Sequence, residues 1–177
     1  MKTTDTLYTT WQSLQAARNV NPSIDEVALL FHSSVALDAF VRDLPPTVEV
    51  FNRVPCDIMK RQDMLGSFQV RFEFIRFERG HPLRFLTDGD WRIEAMCVLE
   101  GDAPLHRQKI AMSETLPTVI HWSYKLPNLD AYQGAVRAHR AAGESMRAEY
   151  SNSYGMFSYF GSNGAPYLKP RVNLRDA

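Results

Sequence analysis

Residues 91–143 read WRIEAMCVLEGDAPLHRQKIAMSETLPTVIHWSYKLPNLDAYQGAVRAHRAAG, and the order of elements within this stretch decides the fold. Trp91 to Val98 is rich in β-branched, aromatic and sulfur-bearing residues. It is bounded by the turn signals Asp88-Gly89-Asp90 and Glu100-Gly101-Asp102, which predicts a strand. Alternate side chains of a strand face opposite ways, so Arg92, Glu94, Met96 and Val98 share one face and the more apolar Trp91, Ile93, Ala95 and Cys97 the other. Glu94 is then a mid-strand carboxylate, either on a solvated sheet face or directed into a cavity. A loop of about twenty residues follows. Val119 to Leu126 predicts a second strand, with Val119, His121, Ser123 and Lys125 opposite the bulkier Ile120, Trp122, Tyr124 and Leu126. Asn128 is placed as an N-cap and Asp130 where the helix dipole favours negative charge. Leu129, Tyr132, Ala135, Val136 and His139 recur at helical spacing, and Gly143 suits the position after the helix.

Outward from this stretch, 177 residues are enough for one domain or two small packed modules. With 45% hydrophobic and 23% charged residues, the composition is that of an ordinary globular protein. A formal net charge of zero argues against a nucleic-acid partner. No apolar run approaches transmembrane length, which argues against a membrane role. The two cysteines, Cys56 and Cys97, lie in no zinc or redox spacing, and buried thiols in a cytoplasmic protein are expected. Hydrolase elbows, zincin motifs, phosphate loops and dinucleotide fingerprints are all absent from the sequence.

In chain order, Asp5 to Val20 predicts a helix with Leu7, Trp11, Leu14 and Ala17 on one face. Ser23 to Leu44 admits two readings. Ser23-Ile24-Asp25-Glu26 has the form of a capping box and favours one long helix. The continuous apolar run Val27 to Phe31 admits a strand followed by a helix from about Val35, and that reading is preferred. It rests on an echo: Ala36-Leu37-Asp38-Ala39-Phe40 against Asn128-Leu129-Asp130-Ala131-Tyr132, about ninety residues apart, as in a duplicated module. Val48 to Met59, Phe68 to Phe77, Leu83 to Leu86, Tyr154 to Phe160 and Tyr167 to Leu174 predict strands. Glu144 to Tyr150 reads as extended, and Gly161-Ser162-Asn163-Gly164 as a hairpin turn. His81, His106 and His139 read as loop or helix-surface residues.

The run RIEAMCVLEGDAPLHR, continued by LPTVIHWSYKLPNLDAYQGAVRAHRAAG, resembles the junction between the two βαβββ modules of the vicinal oxygen chelate superfamily, the glyoxalase and bleomycin-resistance-like proteins. There, a carboxylate-bearing strand closes the first module. A histidine-bearing strand then opens the second and turns into a helix ending Ala-Ala-Gly. Glu94 falls on the carboxylate position and His121 on the histidine position. Asn128-Leu129-Asp130 falls on the turn and Ala141-Ala142-Gly143 on the helix end. The close match spans about a third of the chain. It implies an α+β fold with two βαβββ modules forming curved sheets around a cavity, plus an extra N-terminal helix. The expected division is a helical extension over 1–22, a first module over 23–103, a linker over 104–117 and a second module over 118–177.

The resemblance also implies the site. Cavity-facing candidates are Arg71, Glu73, Arg92, Glu94, His121, Ser123, Lys125, Tyr167, Lys169, Arg171 and Asn173. Glu94 and His121 are the expected catalytic groups or metal ligands. Arg71, Glu73, Arg92, Lys125, Lys169 and Arg171 are the expected substrate-binding residues, since guanidinium and ammonium groups suit an anionic ligand. Metal-dependent members hold a divalent ion at four strand positions. Glu94 and His121 match two of them. The opening position of the first module falls on Leu29 by its offset from Leu37-Asp38, with Glu26 or His32 requiring a shifted register. The closing position of the second falls on Lys169, whose charge repels a cation and could pair with Glu94. The cofactor is thus a divalent metal of unassigned identity, or none. Two readings follow: a lyase, isomerase or dioxygenase-type enzyme acting on a small oxygenated, anionic molecule, or a metal-free binding or drug-sequestering protein of the same fold. A homodimer is implied by the resemblance alone.

Overall fold

A computed structural model describes residues 2–60, 68–85, 90–101, 103–113, 117–151, 155–162 and 165–174, with backbone alone over 52–60 and at 85. The chain opens with helix α1 (Thr3–Val20). The first half then runs β1 (Glu26–Phe31), α2 (Ser34–Arg42), β2 (Val48–Lys60), β3 (Phe68–Phe77), a single turn α3 (Pro82–Phe85) and β4 (Arg92–Gly101). Helix α4 (Pro104–Ala111) leads into the second half: β5 (Thr118–Leu126), α5 (Leu129–Ala141), β6 (Met146–Ser151), β7 (Gly155–Phe160) and β8 (Tyr167–Asn173). This is the expected α+β arrangement of two βαβββ modules behind an N-terminal helix.

The ambiguous stretch from Ser23 is a strand and then a helix. All six residues of β1 are buried, which suits a strand covered on both faces better than a helix that hides one stripe. Val27, Leu29 and Phe31 pack toward α1 and α2. Ala28 and Leu30 face the barrel interior. The helix cap is Ser33, whose Oγ accepts from the Ala36 N–H at 3.2 Å.

The strands follow one another around a ring in the order β1-β4-β3-β2-β6-β7-β8-β5, and β5 returns to β1. β1 runs parallel to β4 and antiparallel to β5, so it joins the two modules. On the far side, β2 and β6 meet only at Met59↔Ser151 and Lys60↔Tyr150. The sheet is therefore strongly curved and all but open along that seam. Three helices lie outside, with α1 across β1 and β5, α2 on β1 and β4, and α5 on β5 and β8. A large apolar layer fills the space under α1 and α2, and a smaller one holds Tyr132 and Val136 of α5 on Met156, Phe160 and Val172. Gly143 closes α5 with φ 79°, a conformation that favours glycine.

Several expectations change. Leu83 to Phe85 lies in the turn α3 rather than a strand. Pro82 starts that turn, and His81 Nδ1 accepts from the Leu83 N–H at 3.1 Å. Leu86, Tyr154 and the Asn163-Gly164 tip of the predicted hairpin lie outside the described residues. Much of the loop expected after Gly101 is helix α4. His106 on α4 is not on a surface: it is 1% exposed, against the rings of Phe68 and Tyr159. Ile120 leaves the face predicted for it. The β1–β5 register shifts between Ala28↔His121 and Leu29↔Val119, a bulge that sends both Ile120 and His121 inward.

Candidate functional site

The barrel interior has two zones. One is an aromatic core of Phe68, Val70, Phe72, Tyr150, Phe157, Tyr159 and Tyr167. The other is a cavity of about 870 Å³ with charged walls. At their boundary, four strands each deliver one polar side chain to a common point: Glu26 from β1, Glu94 from β4, His121 from β5 and Lys169 from β8. None is more than 5% exposed.

Lys169 Nζ donates to Glu94 Oε2 at 3.0 Å and lies 3.2 Å from His121 Nε2. His121 Nε2 is also 3.1 Å from Glu94 Oε2. That nitrogen thus faces both an acceptor and a donor, and one proton on the imidazole decides which bond forms. Glu26 Oε1 points into the same cluster, 3.8 Å from His121 Nε2 and 3.9 Å from Lys169 Nζ. It has no hydrogen-bond partner among the described residues, and neither has His121 Nδ1. The Lys169 ammonium lies 4.7 Å from the Phe157 ring centroid and 6.0 Å from that of Tyr159, close enough for cation–π attraction.

A second layer of charge surrounds these four. Arg92 bonds Glu26 Oε2 through Nε at 2.5 Å and lies 4.6 Å over the Phe74 ring. Arg171 Nη2 donates to both oxygens of Asp25 at 2.9 Å, and its Nε donates to Ser123 Oγ at 2.9 Å. Burial alone would raise the Glu26 carboxyl, but Arg171 and Arg92 outweigh it and hold that group well below the usual carboxylate range. Asp25 moves the other way: burial raises it, against the pull of Arg171. Asp25, Glu26 and Glu94 face Arg92, Lys169 and Arg171, so three carboxylates stand against three cations.

The structure brings Glu94, Arg92, Lys125, Lys169, Arg171 and Asn173 onto the cavity wall. His121 sits one layer deeper, behind Glu94 and Lys169. Ser123 is buried and bonds the Lys169 carbonyl at 3.0 Å, while Tyr167 belongs to the aromatic core. Arg71 and Glu73 are placed elsewhere. They face α2, where Arg71 Nη2 reaches Asp38 at 2.7 Å and Glu73 at 2.6 Å. The lumen side of β3 carries Phe72 and Phe74 instead, because the interior at that height is an aromatic core rather than a polar lining. Leu29 is likewise corrected. It lies three residues from Glu26, hence on the opposite face, in the layer under the helices. Glu26 takes the β1 position. Sequence reasoning also passed over Asp25, Phe74 and Arg76 on the cavity wall.

A legible signal for Glu26 existed. Asn128 Oδ1 accepts from the Ala131 N–H at 2.9 Å, as Ser33 Oγ accepts from that of Ala36. The two N-caps are the true equivalents of the duplicated modules, and Glu26 and His121 each precede their own cap by seven residues. The echo of Leu37-Asp38 with Leu129-Asp130 was out of step by three residues and pointed to Leu29.

Among solved structures, methylmalonyl-CoA epimerase from Mycobacterium tuberculosis superposes with a TM-score of 0.53 at 11% identity, covering 85% of this chain and 87% of that one. A triple mutant of 4-hydroxymandelate synthase from Streptomyces coelicolor superposes with a TM-score of 0.54 at 11% identity, over 85% of this chain and 48% of the synthase. The chain has the vicinal oxygen chelate fold. No known family profile and no curated protein sequence matches it. At this identity the likeness is one of fold, and function has to be read from the site.

Four side chains of ligand type converging at one buried point could hold a metal ion. Glu26, Glu94 and His121 are a donor set that could bind one, with ligand atoms within 4.8 Å of one another. The fourth position does not fit. Lys169 presents an ammonium to the same donor atoms, and an ammonium and a divalent ion cannot share them.

Proposed function

We propose that the protein is an isomerase- or lyase-type enzyme acting on a small, oxygenated, anionic molecule held in the barrel cavity. The observation that carries this reading is Glu94. It is a buried carboxylate on the cavity wall, bonded by the Lys169 ammonium and backed by the His121 imidazole. Arg92 and Arg171, with Lys125 nearer the mouth, give the wall the cationic groups that an anion requires.

Glu26 is already committed to Arg92 and is poorly suited to take a proton. Glu94 is the base in this reading. It removes a proton from a carbon adjacent to a carbonyl or carboxylate, and the electron pair moves onto that oxygen. His121 Nε2, 3.1 Å from Glu94 Oε2, positions that carboxylate from behind. Return of the proton to another face or atom gives an isomer, and departure of a group from the neighbouring carbon gives an elimination product. The aromatic side chains of Phe51, Phe72, Phe74 and Phe157 exclude water from the reacting carbon.

Incubation with a panel of 2-oxo and 2-hydroxy carboxylates in deuterium oxide tests this, with loss of the carbon-bound proton followed by NMR. The wild type should exchange at least one compound, and Glu94→Gln should bind it with exchange reduced by about 100-fold or more. Binding without exchange in both would instead favour the second reading, a metal-free binding protein, to which the same aromatic wall is suited. Among the described residues, no helix is long and apolar enough to cross a membrane. A cytoplasmic location, a homodimer and module limits at 23–103 and 118–177 remain part of this proposal.

A further inference from the structure

We infer that Lys169 is the resident cation of this site: its ammonium stands in place of a metal ion and receives an oxyanion of the substrate. The exclusion of metal stands on the geometry of the cluster alone, whereas the oxyanion contact rests on the reading of the cavity given above.

The four side chains come from equivalent places. Glu26 and His121 precede their helix caps by the same interval, and Glu94 and Lys169 are each the third residue of their strand. Three of the four are cation ligands by chemistry, and the fourth is a cation. Its nitrogen lies 3.0 Å, 3.2 Å and 3.9 Å from the Glu94, His121 and Glu26 ligand atoms. A metal bonded to the same atoms would meet the ammonium within about 4 Å, with two positive charges in a buried site. Lys169 is also not free to leave without cost. Its ammonium is seated beside the Phe157 ring, the residue is 5% exposed, and the departure of the charge would strip Glu94 of its counter-ion.

The socket is incomplete on one side. An ammonium has three N–H groups. Two partners lie within hydrogen-bond reach, Glu94 Oε2 and His121 Nε2, and Lys169 also lines the cavity, which leaves one N–H for a ligand there. A carboxylate or enolate oxygen entering from the cavity would complete the coordination of the nitrogen, much as it would complete that of a metal, but without redox chemistry. This favours the isomerase or lyase arm over the dioxygenase arm.

The test is calorimetric titration with Mn²⁺, Co²⁺, Ni²⁺ and Zn²⁺ of chelator-treated full chain, alongside Lys169→His and Lys169→Glu, with melting temperature as a second readout. The wild type should show no stoichiometric binding and no melting shift. Both variants should bind about one equivalent, with affinity raised about 100-fold or more. Lys169→Glu gathers three carboxylates and can fail to fold alone; recovery of its folding by metal counts as the expected result. One equivalent bound by the wild type and lost in Glu94→Gln would overturn the inference, as would failure of both Lys169 variants to gain metal. For the oxyanion contact, the ¹⁵Nζ resonance of Lys169 is followed while acetate and oxalate are added. A saturable shift is expected, and its absence overturns that part alone. If no compound exchanges in the deuterium experiment, the functional reading falls while the metal titrations still decide the role of Lys169.

Discussion

The two halves of the barrel are built alike and charged differently. In the first, β1 and β4 lie parallel and point Glu26 and Glu94 inward. In the second, β5 and β8 lie parallel and point His121 and Lys169 inward. Each half has a helix outside its strand pair, started by a side-chain cap at the same interval. The halves therefore share a backbone plan and divide the chemistry: two carboxylates from one, an imidazole and an ammonium from the other. A duplicated scaffold supplies four convergent positions, and the residue types at those positions set what the point can bind. Two carboxylates and an imidazole around an ammonium make a socket whose cation is already present, whereas four neutral or anionic ligands would make a cation trap.

The comparison is broken most severely at Glu26. Glu26→Gln leaves Arg92, Lys169 and Arg171 with one buried carboxylate fewer, and a loss of about 3–5 kcal/mol is expected from urea midpoints. His121→Gln, at the equivalent position of the other half, exchanges the imidazole for an amide that can still hydrogen-bond Glu94 and should cost only about 1–2 kcal/mol. Equal losses would mean that the halves do not differ electrostatically.

The helix between the halves offers a pH test. Burial, with the His121 and Lys169 positions adding to it, pulls the His106 imidazole down from 6.5 to about 3. Between those values the unfolded chain carries a proton that the folded chain refuses, so stability rises with pH across that window and is lost on acidification. The slope is about 1.4 kcal/mol per pH unit, or about 4 kcal/mol by pH 3.5. Thermal melts of the wild type against His106→Phe, which keeps a ring between Phe68 and Tyr159, should differ in this slope. Parallel curves would show that His106 is protonated in the folded protein.

The contact across the halves is measured by a double-mutant cycle of Glu94→Gln and Lys169→Met. The pair should be less destabilised than the sum of the single changes by about 1–3 kcal/mol. Additive losses would remove the charge pairing on which the resident-cation inference depends. The smallest effect tests the likeness of the halves rather than their difference. Ser33→Ala and Asn128→Ala should each cost about 1 kcal/mol, since each removes one cap acceptor. Very unequal costs would undo the equivalence by which Glu26 was matched to His121.

The strands, the five-residue echo and the helix stops were legible because they depend on local pattern: period two in β3 and β8, caps at Asn128 and Gly143, and the junction around Glu94 and His121. From these the sequence by itself determined the α+β class, the two-module plan and three of the four convergent side chains, Glu94, His121 and Lys169. Only the tertiary structure decided which face of each strand is the inside. With helices outside and an aromatic core within, both faces of β1, β3 and β4 are buried, so hydrophobic alternation cannot tell lumen from helix layer. That is why Arg71 and Glu73 were assigned to the cavity although they turn to Asp38 on α2, and why Leu29 displaced Glu26. The bulge at Ile120 and the pairing of Arg92 with Glu26, sixty-six residues away in the chain, depend on strand register. Register is a property of neighbouring strands brought together, and a single strand's sequence carries no record of it.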